Sequence, residues 1–223
     1  MAHSALVPPQ QKICTITMVK LHAWQDRKDS FSVLDKNIAS KIFLKFIKNG
    51  DNLLDIGCGD CGFFDFIKKH RQCEFHAFDM NEDALKIAKE KGYSAHKFLD
   101  ASGQFDVISM VDVFEHLTID ERIEIVKKID GMLLPGGYVL MTFPHVKSFL
   151  SVANYFDNIE HKAPYVKVDG VMRLFETYSL LIKKPFSPWL SPFKIISCIA
   201  TGLSIDSIYN SMCLVLQKPL IGK

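Results

Sequence analysis

Apolar and polar positions change period twice along the chain, and each change marks a kind of element. Residues 30–48 carry a helical period, with Phe31, Leu34, Ile38, Ile42 and Phe46 on one face, and the Asn49-Gly50 pair stops it. Short apolar runs then alternate with helical stretches. The pattern predicts strands over 52–57, 74–79, 93–98, 105–111 and 138–143. It predicts helices over 61–70, 82–91 and 118–133, with Asn81 capping the second and Gly92 closing it. In the third, Ile119, Ile123, Val126, Ile129 and Leu133 make the inward face, and Pro135-Gly136-Gly137 makes a tight turn into the fifth strand. Strands alternating with helices build a mostly parallel sheet covered on both faces. Only residues 99–104 lie between the third and fourth strands, too few for a crossover helix, so that helix is predicted missing or one turn long.

After residue 143 the texture changes. Residues 144–165 are mixed and hold Pro144, His145, His161 and Pro164, as a lid over the strand ends would. A helix is predicted over 168–184, with Val168, Val171, Met172, Phe175, Tyr178 and Ile182 inward and Pro185, Pro188 and Pro192 ending it. Two closing strands, 194–202 and 212–217, are close enough to pair as an antiparallel hairpin. This gives a terminal arm over 1–29 and one domain over 30–223, whose lid and acceptor region spans about 144–192.

Composition narrows the class. A chain of 223 residues buries a core without disulfide staples. Its 27 basic and 25 acidic residues leave a charge of +2, which gives no electrostatic case for nucleic-acid binding. The six cysteines (14, 58, 61, 73, 198 and 213) form no framework, and no secretory leader or membrane-length apolar run is apparent. A reduced, cytoplasmic protein is expected.

The chemistry centres on Leu53-Leu54-Asp55-Ile56-Gly57-Cys58-Gly59-Asp60-Cys61-Gly62, a strand running into a glycine-rich turn and a helix. Glycines there let the backbone turn sharply and approach a ligand closely. Asp79 follows about twenty residues on, the place of an acid that holds ribose hydroxyls. A dinucleotide would set its pyrophosphate on the helix N-terminus. Asp55, Asp60 and Asp65 would repel a pyrophosphate and suit a ligand carrying positive charge, an ammonium or a sulfonium.

At these residues the chain resembles the class I S-adenosylmethionine-dependent methyltransferases. Asp55-Ile56-Gly57-Cys58-Gly59 is similar to the first motif of that superfamily and Phe78-Asp79-Met80-Asn81 to the second. Leu99-Asp100-Ala101 resembles the adenine-binding segment. Phe105-Asp106-Val107-Ile108 and Asp112-Val113-Phe114-Glu115-His116-Leu117 resemble the fourth strand and the segment after it. Leu133-Leu134-Pro135-Gly136-Gly137-Tyr138 resembles the turn into the fifth. The resemblance covers roughly residues 30–145. It implies a doubly wound, mostly parallel, seven-stranded sheet with a reversed last strand, and S-adenosylmethionine as cofactor. It puts Asp79 on the ribose, Asp100 and Ala101 at the adenine, and Asp55 nearer the methionine moiety. Gly57, Cys58, Gly59, Asp60, Met80, Val111 and Asp112 complete the expected cofactor site. The nearest branch is that of small-molecule enzymes such as the ubiquinone-biosynthesis O-methyltransferases. Residues 157–165 resemble its lid motif, and the Gly-Phe that often follows the next helix in that branch is absent.

The implied reaction is in-line attack of an acceptor on a sulfonium methyl, helped by a base where the acceptor atom is oxygen. His116, His145 and His161 are the candidate bases, each with the plainer alternative of an ordinary loop histidine. The acceptor is expected to be a small molecule, lipid or glycan. Two other readings compete: a metal-assisted RNA 2′-O-methyltransferase using Asp112, Glu115, His116 and His161, and a protein that binds the cofactor without transfer. No metal is expected. Cys58-x-x-Cys61 lies wholly inside the glycine turn and reads as packing rather than redox chemistry. Aromatics over 165–189 line a pocket or simply pack, and Lys183-Lys184 with Phe186 and Trp189 could touch a membrane surface.

Overall fold

The structure, a computed structural model, describes residues 38–99, 104–147, 162, 165–186, 209 and 211–220. The terminal arm, Asp100, Ala101, His161, most of the lid segment, Trp189 and the strand expected over 194–202 lie outside the described residues.

The elements in chain order are α1 (Ile38–Phe43), β1 (Asn52–Ile56), α2 (Gly62–Lys68), β2 (Glu74–Phe78), α3 (Glu82–Glu90), β3 (Ser94–His96) and β4 (Phe105–Val111). A single 3-10 turn (Phe114–His116), α4 (Ile119–Met132), β5 (Leu133–Pro144), α5 (Val168–Leu174), β6 (Ser179–Phe186) and β7 (Ser211–Gln217) follow. The seven strands form one sheet in the order β3-β2-β1-β4-β5-β7-β6. β1 pairs in parallel with β2 and β4, β2 with β3, and β4 with β5. β7 runs antiparallel to both β5 and β6, which makes it the reversed strand. The order doubles back at β1 and β4, and ligands of open α/β sheets bind at the carboxyl ends of strands beside such a switch.

Both faces of the sheet are covered. Leu53, Val107, Leu140 and Val215 pack with Phe43, Phe63, Phe64 and Ile67 on one side. Leu54, Ile108, Val139, Met141 and Leu214 pack with Val126, Ile129 and Phe175 on the other. Burial on both faces is why the central strands read as unbroken apolar runs. Caps set the helix starts: Asn81 Oδ1 accepts from the Asp83 amide at 2.9 Å. Thr118 and Glu121 form a reciprocal capping box at α4. No helix occurs among the described residues between His96 and Phe105.

Several expected elements differ. α1 ends at Phe43, where turns through Lys45 and Phe46 replace the helix before Gly50. The tight turn at Pro135-Gly136-Gly137 lies inside one twelve-residue strand, whose register to β4 shifts between Phe105 and Val107. The inward face of α4 is Arg122, Val126, Ile129 and Met132, while Ile119 and Ile123 are exposed. Arg122 displaces them because its guanidinium lies over the Phe114 ring and its Nε donates to the Phe114 carbonyl.

The helix expected over 168–184 stops at Leu174, and residues 179–186 pair with β7 instead. Cross-strand pairing overrode the helical period, and β7 found its antiparallel partner upstream rather than in 194–202. Pro185 is tolerated there because β6 lies at the edge of the sheet. Phe186 is buried in the core, so it is not available to a membrane surface. No helix among the described residues is long and apolar enough to cross a membrane.

Candidate active site

The glycine turn is a backbone device. Gly57 and Gly59 have φ of +76° and +52°, in the left-handed region where a side chain is strained. The amides of Gly57 and Cys58 both donate to the Phe78 carbonyl, at 2.8 and 3.1 Å, which clips the turn to the end of β2. A Cβ on Gly57 would lie 2.5 Å from Val113 Cγ2, so the turn is closed against the segment after β4. Asp79 Oδ2 accepts from the Gly59 amide at 3.0 Å and Oδ1 from the Asn81 amide at 2.8 Å. This carboxylate, fixed at a strand end beside a turn without side chains at Gly57 and Gly59, suits the vicinal hydroxyls of a ribose. Met80, next in sequence, is exposed at the rim.

The other carboxylates do not act together as an open negative cluster. Asp65 is held by the Lys91 ammonium and the Tyr93 hydroxyl. Asp60 Oδ1 accepts from the Gly62 amide at 3.0 Å and serves the start of α2, while its carbonyl accepts from Lys91 Nζ. Asp55 is only 2% exposed. Burial pushes its carboxyl up to about 7, against a hydrogen bond from Ser109 that favours the ionised form, and Asp79 and Asp60 raise it further. Because burial holds the Asp55 carboxyl protonated up to near neutral pH, the charge argument read from the sequence loses most of its force at Asp55, Asp60 and Asp65.

Two residues that sequence reasoning missed hold this arrangement. Ser109 Oγ donates to Asp55 Oδ1 at 2.7 Å. Thr142 Oγ1 donates to Asp112 Oδ1 at 2.9 Å and accepts from the Asp112 amide at 3.1 Å. Ser109 is the one hydroxyl of β4, and Thr142 directly follows the apolar run 139–141 in β5; that setting was the available signal. Val111, the last residue of β4, is buried beside this turn.

His116 follows β4 in the 3-10 turn, and His145 follows β5 directly. The two candidate bases thus leave the same sheet edge as the glycine turn. Lys162 itself is bound beside that edge: its amide donates to the Glu115 carbonyl at 3.1 Å and its Nζ lies 2.9 Å from Glu121 Oε2. Among the described residues no three His, Cys, Asp or Glu side chains converge as a metal-ligand group. Thr142 takes up Oδ1 of Asp112, one of the oxygens that the metal reading needs.

Cys58 and Cys61 are buried free thiols. Their mutual hydrogen bond and burial push the Cys58 thiol up. A thiol so held is a poor nucleophile, in keeping with packing under the turn.

Comparison with known proteins agrees with this geometry. The methyltransferase domain family matches residues 27–180, and the chain belongs to that family. Its cofactor is S-adenosylmethionine. No curated protein matches the sequence. A S-adenosylmethionine-dependent methyltransferase from Archaeoglobus fulgidus superposes with a TM-score of 0.68 at 17% identity, over 88% of this chain and 100% of that one. A S-adenosylmethionine-dependent methyltransferase from Methanosarcina mazei gives 0.58 at 15%, over 80% and 97%. The cyclopropane synthase MmaA2 from Mycobacterium tuberculosis gives 0.59 at 13%, over 80% and 82%. At these identities the likeness is one of fold.

Proposed function

We propose that this methyltransferase transfers the methyl group to an oxygen of a small molecule, lipid or glycan. The observation that carries the reading is the placement of His116 and His145, which leave β4 and β5 at the edge holding the glycine turn. The bound cofactor supplies an electrophilic methyl on a sulfonium. Gly57, Cys58, Gly59 and Asp60 form the turn that receives it. Asp79 takes the ribose hydroxyls, with Met80 at the rim. Asp100 and Ala101 take the adenine, and Val111 and Asp112 close the site from β4. Asp55 acts nearer the methionine moiety.

On the acceptor side, residues 144–165 and α5 frame the pocket. One of His116, His145 or His161 accepts the acceptor's proton as the oxygen attacks, and the rest of the rate comes from alignment. The near-neutral charge favours a small acceptor over RNA. The free thiols of Cys58, Cys61, Cys73 and Cys213 favour a reducing, cytoplasmic setting.

Calorimetry with S-adenosylmethionine is expected to give saturable binding to the purified protein. Methyl-labelled cofactor, incubated with a fractionated cell extract, is expected to label a small-molecule, lipid or glycan fraction. Label found in RNA instead would overturn the acceptor class. Replacing each histidine by Gln is expected to lower kcat about a hundredfold for the base and little for the other two. Three unaffected variants would overturn the assignment of a histidine base.

A further inference from the structure

Two non-glycine residues among those described have positive φ, Cys61 at 60° and Asp112 at 53°. Cys61 lies in the glycine turn, and Asp112 precedes Val113, against which Gly57 is closed. Cys61 starts α2, where the helix that follows fixes its conformation. Asp112 has no helix behind it: it follows the last residue of β4 and precedes a short 3-10 turn. What fixes it comes from the neighbouring strand.

Thr142 lies on β5, paired in register with Val111, and is 1% exposed. The Asp112 amide donates to the Thr142 carbonyl and to its hydroxyl oxygen, each at 3.1 Å. The Thr142 hydroxyl donates back to Asp112 Oδ1 at 2.9 Å. Backbone and side chain of Asp112 are thus both tied to one residue. Left-handed backbone is disfavoured for a residue with a Cβ, though least so for Asp and Asn. The next residue, Val113, is the one against which Gly57 is closed.

We infer that Thr142 is a positioning residue for the cofactor site: its hydroxyl holds Asp112 left-handed and so sets the Val113 wall against which the glycine turn closes. The inference rests on the cofactor site proposed above. Thr142 itself touches neither cofactor nor acceptor in this scheme. Its role is to couple β5 to a turn made by β1. A threonine at this place would otherwise be only a buried hydroxyl satisfied by its neighbour, and serine would serve as well as threonine in either case. The distinguishing change is valine, which keeps the shape and deletes the hydroxyl.

Three proteins decide the matter: wild type, Thr142→Ser and Thr142→Val. Calorimetry with S-adenosylmethionine reads the site, and amide exchange of Asp112 in the ligand-free protein reads the lock. Thr142→Val is expected to weaken binding about tenfold or more and to speed exchange at Asp112 by a similar factor, while Thr142→Ser stays within about threefold. Unchanged exchange and binding in Thr142→Val would overturn the inference, as would equal losses in the serine and valine variants. Should Thr142→Val fail to fold, Thr142→Ala set against Thr142→Ser carries the same comparison. Failure of wild type to bind the cofactor would overturn the proposed site, and exchange at Asp112 would still report on the lock itself.

Discussion

Asp55 and Ser109 are paired across β1 and β4, and the Ser109 hydroxyl donates to the Asp55 carboxyl at 2.7 Å in a place shielded from water. The folded carboxyl keeps its proton up to about pH 7, whereas an unfolded aspartate releases it near 4. The stability tied to the neutral carboxyl is therefore fully present below about pH 4 and is lost as pH rises through 7. Asp55→Asn is expected to flatten this slope and to leave the ligand-free protein more stable than wild type at pH 8, by about 4 kcal/mol. Denaturant unfolding from pH 4 to 8 measures it, and parallel profiles for the two proteins would contradict it.

Gly57→Ala is expected to remove cofactor binding and to cost about 2 to 4 kcal/mol. The new Cβ meets Val113 Cγ2 at 2.5 Å and sits on a backbone with φ of +76°. Adding Val113→Ala is expected to recover the part due to contact and leave the part due to φ. A double variant no better than Gly57→Ala alone would mean that backbone strain accounts for the whole effect.

At Gly137 the obstacle is backbone. A Cβ there would lie 2.8 Å from the Asp106 carbonyl and 2.9 Å from that of Leu134, inside the paired β4 and β5 strands. Gly137→Ala is expected to destabilise by about 3 kcal/mol, against about 1 kcal/mol for Gly50→Ala, which has a positive φ and open space. Thermal melts of the two variants check the order.

Thr118→Ala removes one half of the capping box at α4 and is expected to cost about 1 kcal/mol. Thr118→Ser is expected to be close to wild type. Urea unfolding of both variants tests whether the cap matters for the whole domain or only for a fraying end.

Much of this architecture was legible because it is local. The run 105–111 is bounded by a polar segment and a charged one, and β4 matches it residue for residue. Asp55 and Asp79 stood out because one lies at the end of β1 just before the glycine turn and the other directly follows β2. What stayed hidden depends on register. Ser109 and Thr142 gain their meaning from the neighbouring strand, where Ser109 faces Asp55 and Thr142, paired with Val111, bonds to the Asp112 that follows it, and no spacing along the chain gives that. Residues 168–184 carry one helical period, yet the second half is a strand because β7 offers it hydrogen bonds. The broad apolar stripe of α4 left its inward edge open, and a buried arginine settled it.

β6 precedes β7 in the chain but joins the sheet only through it. During synthesis, β5 and β6 therefore both emerge before the strand that belongs between them. Until β7 leaves the ribosome the growing chain carries an open ladder along β5 and an unpaired β6. Such a state invites pairing with other chains. Lys183, Lys184 and Pro185 lie in β6 itself, where charge and a missing amide discourage that pairing during the wait. Closing the sheet is then an insertion of β7 between two strands made before it, and it cannot precede the synthesis of residues 211–217.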